Sequence, residues 1–79
     1  MKEKLMKIIS TNTFVEIQDL EAIGSDELIT NIGLDSINLI YVIGEIEEEF
    51  GFTFPEEDLV LEKFDTISKI MELIKKHSK

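Results

Sequence analysis

No cysteine occurs in this sequence, so it has no disulfide framework, no thiolate nucleophile and no cysteine-based metal site. Any thiol the protein uses must be brought in. Proline appears once and glycine four times, too few for a low-complexity or collagen-like chain. Basic side chains are also scarce: eight against seventeen acidic ones leave a formal charge of −9. A field of that sign repels phosphate backbones and anionic lipid head groups, which argues against nucleic acid and membrane surfaces as partners. It favours a basic protein surface, because opposite fields steer encounter, and it also keeps a small protein soluble. No apolar run approaches a bilayer span, and the first nine residues carry too short an apolar stretch for a signal peptide, so a cytoplasmic address is expected. With 43% hydrophobic residues in 79, the chain can bury one modest core, and a single domain over residues 1–79 is expected.

What is present is helical periodicity. Leu5, Ile8 and Ile9 in residues 2–9 fall at i, i+3 and i+4, the apolar stripe of a short amphipathic helix. From Ser10 to Gly33 the spacing becomes irregular, and Phe14, Val15, Ile17, Leu20, Ile23, Leu28 and Ile32 read as anchors of a long ordered loop. Loops of that length are uncommon and usually functional. Leu39, Val42, Ile43, Ile46 and Phe50 then mark the main helix, with Asp35 or Ser36 as its cap and Gly51 placed to end it in the left-handed conformation. Its opposite face turns Glu45, Glu48 and Glu49 to solvent. Pro55 followed by Glu56, Glu57 and Asp58 suits the first turn of a short third helix. Asp65 or Thr66 caps a last helix with Ile67, Ile70, Met71 and Ile74 on one face and Lys75 and Lys76 in its closing turn. The expected fold class is all-α, a four-helix bundle of three main helices and one short one, with a long loop between the first two.

A serine at the positive end of a helix, beside Asp35, sits where an attached phosphate is favoured. Alone, the pair reads as a plain helix cap. Its surroundings add more. Gly33-Leu34-Asp35-Ser36-Ile37 resembles the G-x-D-S-L motif of the acyl and peptidyl carrier protein family, with isoleucine in the last place. Downstream, Ile46 to Phe50 resembles that family's L-E-x-x-F signature, Phe54-Pro55-Glu56-Glu57 its I-P-x-E link, and Phe64-Asp65-Thr66-Ile67 the F-x-T-I/V start of its last helix. The resemblance runs from about Leu28 through Ile74.

The resemblance implies a carrier that is not an enzyme. It implies that Ser36 receives 4′-phosphopantetheine from coenzyme A, transferred in the presence of magnesium by a phosphopantetheinyl transferase, with Asp35 supporting the modification. The arm's thiol would carry acyl or aminoacyl groups as thioesters at high effective concentration near docked enzymes. Loading and elongating enzymes with basic docking surfaces are the implied partners, and a monomer is expected. In the family, the main helix and the preceding loop form the docking surface. Leu34, Ile37, Ile40 and Tyr41 accordingly read as a partly exposed apolar patch ringed by Glu45, Glu47 and Glu48. Asn38 and Tyr41 stand where fatty-acid-synthesis carriers often place acids, which favours a specialised polyketide, nonribosomal peptide or fatty-acid-type pathway; a D-alanyl carrier is a further possibility, although Ile37 replaces the phenylalanine common there. Gly44, inside the main helix, suggests a close backbone approach or simple tolerance. His77 reads as part of a solvated tail, and Glu56, Glu57 and Asp58 as a solvated face with no metal site. The alternative reading of the chain is an unmodified acidic helical protein-interaction module.

Overall fold

The computed structural model describes residues 1–78. Among them are four α-helices, α1 (Lys2–Asn12), α2 (Ile17–Ala22), α3 (Ser36–Phe50) and α4 (Ile67–His77), and no strand. The fold class is therefore all-α, as the periodicity requires. Helix α1 buries Leu5, Met6, Ile8 and Ile9. It runs past its apolar stripe because Thr11, Asn12 and Thr13 turn their side chains back to the carbonyls of Lys7, Ile8 and Ile9 at 2.8, 2.9 and 2.7 Å, occupying acceptors that a helix end leaves unpaired.

The segment between α1 and α3 departs from the expectation of a loop without regular structure. It contains α2 and a single 3-10 turn, Ile29–Asn31. Val15, Leu20 and Ile29 anchor it in the core, whereas Phe14, Ile17, Leu28 and Ile32 face outward. Helix α2 buries only Leu20, so it leaves no repeating stripe for periodicity to detect. Two backbone bonds tie the segment to the start of α4: Ile29 N–H to the Asp65 carbonyl at 2.8 Å, and Ser68 N–H to the Ser25 carbonyl at 3.0 Å.

Helix α3 buries Leu39, Val42 and Ile46 and ends at Gly51 with φ 72° and ψ 40°. Gly51 N–H and Phe52 N–H both donate to the Glu47 carbonyl, a closure that glycine makes at little steric cost. The expected third helix is instead a pair of 3-10 turns, Glu56–Asp58 and Leu61–Lys63. Asp58 is drawn inward, Val60 N–H returns to the Asp58 carbonyl at 2.9 Å, and Val60 is extended, so no helical ladder continues. Helix α4 starts at Thr66, whose hydroxyl accepts from Lys69 N–H at 3.1 Å, and it buries Ile67, Ile70 and Ile74. Phe54 and Phe64 fill the core beside it, ring edge to ring face at 5.2 Å.

Gly44 meets nothing: a Cβ built there has no neighbour within 4 Å. The close backbone approach suggested by its position is absent within the fold. Gly44→Ala should therefore stabilise the protein by about 1 kcal/mol, through the helix propensity of alanine alone, with a matching rise in the urea midpoint. A decrease would show that the site is tighter than the fold indicates.

Candidate functional site

The start of α3 is held from three sides. Gly33, at φ 148°, lies so close to the α1–α2 connection that a Cβ on it would fall 2.6 Å from Val15 Cγ2. Leu34 is 2% exposed and donates its N–H to the Ile29 carbonyl at 3.1 Å. Asp35 is the N-cap, and its Oδ1 accepts from Ile37 N–H at 2.9 Å and Asn38 N–H at 2.8 Å. Asn38 answers in the reverse direction: its Oδ1 accepts from Asp35 N–H at 2.8 Å, and its Nδ2 donates to the Gly33 carbonyl at 2.9 Å. Ser36 is the first residue of the helix and is exposed. Among the described residues its hydroxyl has no hydrogen-bond partner.

Beside Ser36 lies an apolar cleft of about 230 Å3, lined by Ser36, Leu39, Ile40, Ile43, Leu59 and Leu61. Ile37, Ile40 and Tyr41 are 71%, 68% and 64% exposed, so the outer face of α3 near the serine is apolar and open. Glu45 and Glu48 are exposed further along. Two residues of the expected patch do not belong to it. Leu34 is a core residue, because the turn at Gly33 directs it inward. Glu47 is half-buried, and its Oε2 accepts from Phe54 N–H at 2.8 Å, so it braces the segment that follows α3.

The helix start thus presents an exposed serine hydroxyl, and comparison with known proteins places the chain in a family. The family described as "Phosphopantetheine attachment site" matches residues 3–74. The acyl carrier protein of Clostridium perfringens (strain SM101 / Type A) is 30% identical over 78 residues, covering 99% of this chain and 97% of that protein. The chain belongs to the phosphopantetheine-attachment family of acyl carrier proteins. Another member, the acyl carrier protein of Rickettsia bellii (strain RML369-C), is 26% identical over 77 residues, 98% of this chain and 85% of that protein. Acyl carrier proteins are carriers and not enzymes, and the cofactor of the family is phosphopantetheine. An exposed serine hydroxyl with no competing bond, next to an open cleft, fits such a group. Among the described residues no helix is long and apolar enough to cross a membrane.

A second cluster departs from the expectation of a solvated acidic face and a solvated tail. Asp58 is buried rather than solvated. Its Oδ1 accepts from Lys63 Nζ at 2.6 Å, and its Oδ2 lies 2.9 Å from His77 Nε2. His77 is thus no free tail: it is mostly buried, and its ring lies 6.3 Å from Phe52 and 6.1 Å from Phe54. Hydrogen bonds from Lys63 and then His77 hold the Asp58 carboxyl below the usual carboxylate range, against the upward push of burial, with the charges of Lys63 and Lys76 adding to the lowering. The cluster joins the 3-10 turns that wall the cleft to the last turn of α4. The role of Asn38 also escapes a reading based on charge alone, although the Asp-x-x-Asn spacing is a capping-box signal.

Proposed function

We propose that Ser36 is the attachment point of 4′-phosphopantetheine and that residues 1–79 act as one monomeric carrier domain in the cytoplasm. On this reading the chain carries acyl or aminoacyl intermediates for a specialised polyketide, nonribosomal peptide or fatty-acid-type pathway. The observation that supports it most is the exposed, unpartnered Ser36 hydroxyl at the capped start of α3, inside the Gly33–Ile37 motif. The cofactor, when bound, supplies a thiol that holds cargo as a thioester. Ser36 Oγ would bond to the phosphorus of the pantetheine phosphate as the pyrophosphate bond of coenzyme A breaks and adenosine 3′,5′-bisphosphate leaves, the serine proton passing to a base of the transferase. Asp35 uses Oδ1 on the helix start, which leaves Oδ2 able to face the transferase and its magnesium.

Docking is the second task of the same end of the molecule. Ile37, Ile40 and Tyr41 provide apolar contact next to the arm, and Glu45 and Glu48 set its electrostatic rim for a basic enzyme surface. Neutral Asn38 and aromatic Tyr41 at the top of that face support partners other than those of housekeeping fatty-acid synthesis.

Incubation with coenzyme A, magnesium and a broad-specificity phosphopantetheinyl transferase, read by intact mass, tests the assignment. The wild-type chain should gain one phosphopantetheine, and Ser36→Ala should gain none. Modification that persists in Ser36→Ala would place the arm elsewhere. A wild-type chain that never gains mass would leave the acidic interaction module as the better description.

A further inference from the structure

We propose that Phe14 is a docking anchor for the phosphopantetheinyl transferase, an inference that rests on Ser36 being the attachment point. Phe14 is 102% exposed, more than any other large apolar side chain among the described residues, so burial of its ring contributes nothing to folding. The backbone holds it there. Thr13, just before it, donates its hydroxyl to the Ile9 carbonyl at 2.7 Å and accepts from Val15 N–H at 3.1 Å, while Val15, just after it, is seated in the core. Single exposed apolar residues are ordinary, but this one stands beside the site. Helices α1 and α3 pack antiparallel: Lys4 Nζ meets Glu49 Oε1 at 3.1 Å, and Ile8 and Thr11 share a groove with Glu45. Advancing along α1 therefore leads back along α3 toward Ser36. Val15 ends the series against Gly33, where an added Cβ would lie 2.6 Å from its Cγ2. Ile37, Tyr41 and Glu45 form one row of α3 at i, i+4 and i+8, so the exposed Ile37 and Tyr41 border the α1 side, as Phe14 does. The apolar cleft with Leu59 and Leu61 lies on the other flank of the serine.

The occupant follows from the approach to Ser36. An enzyme that covers about 800 Å2 of a carrier takes up a disc of about 16 Å radius. Gly33 precedes Ser36 by three residues, at most about 11 Å when fully extended, so a disc centred on the serine reaches across Gly33 to the α1–α2 connection. A second copy of the chain is a poor occupant, because each would carry a charge of −9 and like fields repel. Exposed Glu16 and Asp19 follow Phe14 along the chain, and a ring with an acidic border fits an apolar socket with a basic rim. Such a contact is far from the reacting atoms and equally strong before and during transfer, so its loss raises KM and leaves kcat alone.

The test uses full-length Phe14→Ser and Phe14→Leu in the apo form, with coenzyme A, magnesium and the same transferase. Phe14→Ser should raise KM for the carrier by about tenfold with kcat changed less than about twofold, and Phe14→Leu, which keeps an apolar knob, should recover most of the loss. The urea midpoint of Phe14→Ser should equal that of wild type, because no part of the ring is buried; a fall would mean that the ring is packed and would overturn the anchor. Docking can also be read without transfer to the tested chain. Ser36→Ala should inhibit modification of the wild-type chain, and adding Phe14→Ser to it should weaken that inhibition by about tenfold. Wild-type KM in Phe14→Ser, or a loss confined to kcat, would overturn the anchor while the attachment assignment stands. A wild-type dimer that Phe14→Ser dissolves, seen by light scattering, would give the ring to a second copy and overturn it as well. Absence of mass gain in the wild-type chain would overturn both readings.

Discussion

Gly33→Ala should cost the protein roughly 3 kcal/mol of stability, from forcing a side chain into a left-handed backbone and into an occupied site. The two penalties have separate origins. The φ of 148° is rarely adopted by residues with a Cβ, and the added methyl would meet Val15 Cγ2 at 2.6 Å, inside any real contact distance. A small domain has only several kcal/mol in total, so this one methyl consumes a large part of it. Urea unfolding gives the number. Val15→Ala in the same chain removes Cγ2 and should recover the steric part alone, since Val15 Cβ is 4.0 Å from the new methyl; the two sites touch and their effects should not add. A Gly33→Ala protein within 0.5 kcal/mol of wild type, an interval of about ordinary surface-substitution size, would refute the close approach.

The second large effect is acid sensitivity centred on Asp58. Its folded-state pKa is lowered from 3.8, so the unfolded chain takes up a proton on this group at a higher pH than the folded chain does. The stabilisation is complete above the ordinary carboxylate range and is lost as pH falls below it, through the lower folded value. Asp58→Asn should melt well below wild type at neutral pH, and the gap between the two should close on acidification below about pH 4. Taking the difference between variants removes the general relief of acidic self-repulsion, which both share. Lys63, His77 and Lys76 are the charged or titratable groups that act on Asp58, and Lys63→Met should narrow the gap at neutral pH as well. A gap that is constant from about pH 7 to about pH 2.5, across the carboxylate titration, would mean that the Asp58 charge does not contribute.

Local signals in the sequence carry most of the architecture. The stripe from Leu39 to Ile46 defines α3, glycine at position 51 is compatible with its left-handed end, and Thr66 announces α4, because each depends on neighbours within one helical turn. The place of Ser36 at the start of α3 is legible for the same reason, from a contiguous motif. What escapes depends on distance along the chain or on a lone residue. Asp58 and His77 meet across 19 residues, and nothing in either neighbourhood distinguishes a buried acid from a solvated one. Leu34 has no periodic companion, so its burial follows only from the turn at Gly33 and its bond to Ile29. Helix α2 contributes one buried side chain, and the turns around Leu59 and Leu61 bury too little to form a stripe, although they make the wall of the cleft.

The isolation of the Ser36 oxygen has a thermodynamic meaning. Asp35 Oδ1 and both ends of the Asn38 carboxamide are engaged with the helix start, while the Ser36 oxygen takes part in none of those bonds. Derivatising that oxygen would break no hydrogen bond of the native state, and a phosphate there would meet the positive end of α3, so folding would tolerate the substituent. A group placed there would leave intact every bond that holds the helix start.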